Sequence, residues 1–498
     1  MNISCLDVPD MFFSQIPNEQ LPNQLNDLKQ MFQNSENYQM LLNKSTTNKV
    51  SDRSLISLVI TVCYELDSQF SYGIVDGKTT RFLEYIDEDI SQTEYLSRNR
   101  YICKIEGMDN PKFPSLFNGE RQTSMKKQSF ESDEKNAKID DLICVMSFED
   151  GVELKVGQRY HVIGIYQSSR FDSDQELDIK IPTNQRLFVL LWRKYGLVES
   201  CLDANGVLPE MNILLDKEDK RNTTIAPFAQ FEIRKRILEL MNYLIPEPMN
   251  VHLLLNILSS IRSRDPMILP RHTLCLTVDK VHPFVDELKE LLYYFNPFVK
   301  VVNACQQKPL LPIITAETEE YEYHQLQVGN ESIIIVEAEE EMNEINKEIV
   351  IQLIEQIQLQ YIMYYHPIQI PINASVIFVT SKNHNKSISQ ICDQSLVIHN
   401  GIKNGSMNDL LKTINEKEMN AMRHYIIHCR NSKCHLKDDL QNLISESYAK
   451  ARQSNPDINQ MVLHAWLNMA DLLGCSYGMK EITPELWNEM LQLYMMNN

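Results

Sequence analysis

Glycine is scarce in this chain, 14 residues of 498, under half of the usual share of about 7%. That shortage argues against glycine-rich phosphate loops and dense hairpins. None of the patterns G-x-x-x-x-G-K-[ST], G-x-G-x-x-G, G-x-S-x-G or H-E-x-x-H occurs. Positive charge is also short: 48 Lys and Arg against 67 Asp and Glu leave a formal net charge of −19. A nucleic-acid backbone is bound mainly by Lys and Arg, so this balance disfavours nucleic acid and favours protein partners, basic ones included. No apolar run approaches the ~18 residues that cross a bilayer. The longest, such as Ile370–Thr380, are strand-sized. Met1–Gln20 has neither a basic n-region nor a continuous apolar h-region, so no secretory signal is expected. Eleven cysteines, an odd number spread along a long chain, predict reduced thiols in a cytosolic or nuclear setting.

What is present begins with a strand-to-helix crossing shaped like a nucleotide-binding loop. The apolar Thr273–Val278 runs into Asp279-Lys280-Val281-His282-Pro283-Phe284. An amphipathic helix follows through Leu288, Leu291, Leu292 and Phe295. Further on, Ile333–Val336 ends in Glu337 and a run of acids to Glu341. A working phosphate cradle needs glycines that open a nest of backbone N–H groups, a lysine on the phosphates and a hydroxyl on magnesium. The 279–284 stretch has no glycine and no Gly-Lys-Ser/Thr, and proline removes a donor there. The pattern suggests an ATPase-like scaffold kept for shape.

At this length two to four domains are expected. Residues 1–50 are polar, with Leu25, Leu28, Met31 and Phe32 at helical spacing. Residues 51–200 look β-rich: 54–75 is apolar on both faces, Leu142–Phe148 and Tyr160–Tyr166 flank a turn at Glu149-Asp150-Gly151, and Leu187–Trp192 adds a strand. A polar insertion at 114–140 interrupts this region, which suggests a small barrel or sandwich. From 225 to 425 strands and helices alternate, which predicts a mainly parallel sheet. The strands are Leu274–Val278, Lys300–Val302, Ser332–Val336 and Ala374–Thr380; helices lie at 231–241, 251–261, 281–295 and 343–354. The tail, 430–498, is helical. Leu436, Leu440, Leu443, Ile444 and Ser447 share one face, Met461, Val462, Ala465, Met469 and Leu472 another, and Thr483-Pro484 is an N-cap with proline at N1.

Candidate chemistry is thin. Glu337–Glu341 could serve as magnesium-water carboxylates, but more simply form a solvated charge run after a buried strand. His428-Cys429 and Cys434-His435 carry zinc-ligand chemistry without zinc-site spacing. His252, His272, His282, His366 and His424 lack a nucleophile motif. Arg262 and Arg264 could be arginine fingers or simply close the 251–261 helix. Trp466 and Trp487 are either core or interface anchors. No catalytic, cofactor or metal residue is assigned, and no cofactor is expected.

Several ordered segments carry a resemblance. They are Ser71–Val75; Val145–Asp150 with Leu154–Gly157 and Ile163–Tyr166; Val251–Leu255 leading through Ser260–Asp265 to Leu269-Pro270; Tyr364–Pro367 with Ile377–Ser381; and the tail about Asn455-Pro456 and Leu486-Trp487. In this order, over about residues 10–495, the chain resembles the mini-chromosome maintenance complex-binding protein family. The resemblance implies an α+β multidomain layout: a β-rich, OB-like N-terminal region, a degenerate AAA+-like α/β core and a C-terminal helical lid. It implies a non-enzymatic nuclear protein that binds subunits of the replicative helicase during DNA replication and acts in their assembly, stability or unloading from chromatin. No direct nucleic acid and no membrane is expected. An active AAA+ ATPase and a nucleic-acid-binding β-barrel remain the alternatives.

Overall fold

The computed structural model describes residues 55–75, 78–79, 93–106, 142–147, 154–168, 185–201, 227–265, 268–314, 322–363, 366–381, 384–398, 407–437, 440–455 and 458–495. The expected helix within 1–50, the 114–140 insertion and the Glu149–Gly151 turn lie outside them.

The first sheet has six strands: β1 (Leu55–Val75), β2 (Lys78–Thr79), β3 (Thr93–Ile105), β4 (Leu142–Ser147), β5 (Arg159–Ser168) and β6 (Gln185–Lys194), in the order β2-β1-β3-β4-β6-β5. It closes because β1 is long enough to serve two neighbours. Leu55–Thr61 pairs with Arg159–Ile165 of β5, and from Ile60 onward β1 pairs with β3. Register shifts at Val62/Tyr64 and Leu66/Gln69 bend β1 between these partners. All pairings are antiparallel except β4 with β6. From Ile56 to Leu66 only Glu65 is exposed, as the apolar character of both faces predicts. Ile60, Val62, Tyr101, Val145, Val162 and Leu187 fill the barrel interior.

Two helices follow, α1 (Pro227–Met241) and α2 (Asn250–Leu258), then the alternating region. Its strands are β7 (Leu274–Val278), β8 (Val299–Asn303), β10 (Ile333–Ala338), β13 (Ser375–Ser381) and β14 (Gln394–Ile398). They form a sheet in the order β14-β7-β13-β10-β8, parallel throughout. Helix α3 (Val281–Phe295) joins β7 to β8, and α4 (Glu344–Gln356) follows β10. Parallel strands are covered on both faces. Here Leu276, Ile335 and Ile377 face α3 and the tail, whereas Ile334, Val336 and Phe378 face α4.

One element was not legible in the sequence. Between α4 and β13 the chain makes a hairpin, β11 (Gln358–Met363) and β12 (His366–Pro371), which joins a two-residue β9 (Ile313–Ile314) in a sheet ordered β12-β11-β9. The Ile362 N–H donates to the Pro312 carbonyl on the β9 side, and Ile362 pairs with Pro367. The backbone groups of Pro367, Gln369 and Pro371 therefore point to the open edge of the hairpin.

A short α5 (Lys386–Ser389) precedes β14; after the sheet come α6 (Met407–Lys412), α7 (Glu416–Asn431), and the tail helices α8 (Leu440–Ser454), α9 (Gln460–Ser476) and α10 (Pro484–Met495). Thr483 caps α10 as expected, its Oγ1 accepting from the Leu486 N–H at 3.3 Å. Two expectations fail. Leu436 precedes α8 and is exposed, and Met461, placed on the buried face of α9 by spacing, is 60% exposed. Met461 lies in the first turn, where a helix end outruns its neighbours. Trp466 and Trp487 are fully buried, edge to face at 6.4 Å, in one cluster with Leu276 and Leu288 of the sheet layer. Both are core residues.

Candidate functional site

In an open parallel sheet, ligands sit beyond the carboxyl ends of the strands. At this edge β7 ends in Asp279-Lys280, with α3 starting at Val281. Two strand positions away, across β13, β10 ends in Glu337 and Ala338. His282, in the first turn of α3, places Nδ1 3.6 Å from Glu337 Oε2. A side chain of this protein thus stands between helix start and carboxylate, where a phosphate would lie. Pro283 removes one of the N–H groups that an anion would use. Lys280 is the N-cap and makes no side-chain capping bond.

The rest of the edge is stitched together internally. Thr380 Oγ1 donates to the Ala338 carbonyl at 3.1 Å and Ser381 Oγ to the Glu339 carbonyl at 3.1 Å. Asn385 Nδ2 donates to the Glu340 carbonyl at 2.8 Å. The hydroxyls at the end of β13 are therefore spent on the acidic turn. Glu339, Glu340 and Glu341 are exposed, as a solvated run would be, but Glu337 is only 13% exposed. His384 Nδ1 lies 3.7 Å from Glu341 Oε2.

The amino edge of the same sheet carries the barrel. Arg159, at the start of β5, is 3% exposed and reaches four groups. Its guanidinium donates to the Asn330 carbonyl at 2.6 Å and to Ser332 Oγ at 3.0 Å, sits 3.4 Å from Glu106 Oε1, and stacks 3.6 Å over the Phe298 ring. Thr61 Oγ1 also donates to Glu106. Burial alone would raise the Glu106 pKa, but Arg159 and Lys104 hold it below the usual value. Gln327 Nε2 donates to the Cys63 carbonyl at 3.0 Å, and the Leu197 N–H donates to Glu331 Oε2. Gly157 has φ +77°, where its N–H donates to the Val62 carbonyl and its own carbonyl accepts from Asn330. A Cβ there would meet Ile370 of β12 at 3.1 Å.

The remaining candidates are structural in placement. Arg262 pairs with Asp471 of α9 at 2.7 Å. Arg264 donates to the carbonyls of Gln356, Ile357 and Ile372. The predicted helix end at 261 is wrong, since α2 stops at Leu258. Arg264 does serve a helix terminus, but that of α4. His252 and His272 stack at 5.6 Å, and burial lowers their pKa values to about 3 and about 4. His424 is buried too, with its pKa lowered. The His366 side chain lies outside the described residues. Cys429 and Cys434 are buried free thiols, pushed up to about 12 by burial, with Cys429 Sγ donating to the Cys475 carbonyl at 3.4 Å. Among the described residues no group of three or more His, Cys, Asp or Glu is arranged to hold a metal ion, and no helix is long and apolar enough to cross a membrane.

Sequence reasoning missed two features of this surface. One is the uncharged hairpin: no Asp, Glu, Lys or Arg occurs from Gln356 to Ser381, and Ile362 and Ile368 are exposed. The other is the outer face of α4, where Ile345 is 52% exposed among glutamates. A gap in the charge pattern and an isoleucine at a solvent position of the helical period were the available signals.

Comparison with known proteins gives two findings. A family model described as Mini-chromosome maintenance replisome factor matches residues 132–496. A Mini-chromosome maintenance complex-binding protein of Dictyostelium discoideum is 27% identical over 151 residues. That alignment covers 27% of this chain and 20% of the relative, so it spans about a fifth of the relative's length.

Proposed function

This chain belongs to the Mini-chromosome maintenance replisome factor family, and from that premise we propose that it is a non-enzymatic protein that binds subunits of the mini-chromosome maintenance complex. The observation that carries this reading is the carboxyl edge of the parallel sheet, where His282 stands against Glu337 and Thr380 and Ser381 are bonded to the acidic turn. We read the sheet, ordered β14-β7-β13-β10-β8 with α3 entering from β7, as a degenerate AAA+-like core. The closed barrel we read as OB-like. Such a chain would mimic a helicase subunit and engage its neighbours through shape. The acidic balance supports protein over nucleic-acid partners, and ten free thiols among the described residues suit the reducing nucleus. Assembly, stability or unloading of the helicase during replication is the role proposed for it.

The test is capture of purified mini-chromosome maintenance subunits by the full chain, run beside an ATPase assay and a DNA mobility shift. Capture with neither turnover nor shift supports the reading. ATP turnover that disappears in Glu337→Gln would replace it with an enzyme, and a DNA shift without capture would replace it with a nucleic-acid-binding barrel.

A further inference from the structure

The acids of the carboxyl edge do not end with the sheet. Glu341 precedes Asn343, the N-cap of α4, whose exposed side continues through Glu344, Ile345 and Glu348. Positions 344, 345 and 348 share one helical side, and Glu341 lies in the turn just before it. Glu344 is 86% exposed at the side chain, Ile345 is 52% exposed, and half-buried Ile349 lies beside it on the next turn. Lys347 approaches Glu344 only to 3.8 Å, and the imidazoles of His384 and His282 near Glu341 and Glu337 carry charge only when protonated.

A second observation points the same way. At the root of the adjoining 339–341 turn two buried acceptors have no donor, Glu337 Oε2 and Asn385 Oδ1. Asn385 is 4% exposed; its amide already donates to the Glu340 carbonyl, and its backbone N–H lies 3.5 Å from Glu341 Oε2. His282 Nδ1, at 3.6 Å, is too far from Glu337 to make a hydrogen bond. Carboxylates and amide oxygens of this kind only accept, so the face has acceptors in excess and an apolar centre.

We infer that the outer face of α4 and the adjoining turn 339–341 dock a Lys/Arg-bearing segment of a protein partner. An apolar side chain of that segment covers Ile345, and its cations meet Glu341, Glu344 and Glu348. This rests on the reading of the chain as a subunit-binding protein and adds where and by what chemistry it binds. From Glu344 to Glu348 the helix runs roughly 6 Å, and the acids continue past its start through the 339–341 turn, an extent that suits a segment of chain and exceeds the span of one metal ion. A nucleic acid or a second copy of this chain, at −19, would bring like charge to the same acids.

The experiment measures Kd of the full chain for purified mini-chromosome maintenance subunits at low and high salt. Three proteins are compared: wild type, the triple variant Glu341→Gln/Glu344→Gln/Glu348→Gln, and Ile345→Ser. Exposed charge pairs are weak singly, so losing three is expected to weaken binding about tenfold at low salt and flatten its salt dependence. Ile345→Ser should weaken binding about threefold at both salts with an unchanged melting temperature. If the triple variant proves unstable, Ile345→Ser alone decides. Wild-type affinity in the variants would overturn this face while leaving the subunit-binding reading intact. No capture by wild type would remove that reading, and this inference with it. A melting shift produced by magnesium in wild type and lost in the triple variant would make the occupant a cation and overturn the segment.

Discussion

The two ends of the parallel sheet are built from similar residue types and put them to opposite uses. At the amino end Arg159 and Ser332 are shut away from water, and with the largely buried Glu106 and Asn330 they bolt the barrel to the sheet. At the carboxyl end Glu339, Glu340, Glu341 and His384 remain open to solvent, and only the root of the edge is buried. A charge removed from water is tolerable only when each partner stays in place. The amino end is therefore committed to structure, and the carboxyl end is free to evolve a surface. The scaffold does not depend on a phosphate cradle at the carboxyl end, because its stability is invested at the other edge.

The largest way to break this contrast is Arg159→Ala. It leaves Glu106 buried beside Thr61 with its main cation gone, and should cost about 3–5 kcal/mol, read as a lower urea midpoint. Adding Glu106→Gln should recover part of that loss. If the single variant unfolds like wild type, the seam is not what holds the barrel.

Acid should act on the same end. His161 bonds to Ser57 Oγ at 2.6 Å within the barrel, and burial lowers its pKa to about 3; His252 and His272 lie at about 3 and about 4 beside the start of β7. These groups stay neutral when folded and take up protons near 6.5 only when unfolded. Their stabilisation is complete above that value and is lost as pH falls from about 6.5 toward 4. Between about pH 7.5 and 6 the three together should cost about 2–3 kcal/mol. The measurement is urea unfolding at each pH, and His272→Gln should flatten the slope by about a third.

A smaller effect belongs to Gly157. Alanine there meets a left-handed backbone and the Ile370 methyl, so Gly157→Ala should lower stability by about 1–2 kcal/mol. At the carboxyl end, by contrast, Glu337→Gln should change stability by less than about 0.5 kcal/mol, with no ATP turnover before or after. A large destabilisation by this variant would erase the distinction between the two edges.

The elements that repeat a strong local pattern were legible from residues alone. Leu274–Val278 is a continuous apolar run bounded by polar residues, and it forms β7 over those same residues. The 281–295 helix shows the 3.6-residue period through Leu288, Leu291, Leu292 and Phe295, all buried. What escaped was settled by tertiary pairing. The β11–β12 hairpin lacks a glycine turn and alternates weakly, so its strands exist because Ile370 meets Gly157 and Ile362 meets Pro312. The seam was invisible because Arg159 and Ser332 are 173 positions apart and neither belongs to a motif. The filled carboxyl edge was half legible: Pro283 announced a missing donor, but only folding brings His282 to Glu337.

The open rim of the β11–β12 hairpin has a bearing on crowding. An unpaired strand normally offers a rail of amides onto which another chain can crystallise, the first step of fibrous aggregation. Here the outward positions of β12 are Pro367, Gln369 and Pro371, so two of the three supply no hydrogen. A stray strand arriving there finds one amide to grip. The hairpin can therefore keep exposed isoleucines and lack formal charge without seeding polymer growth. Whatever settles on it must do so by side chains and can leave again.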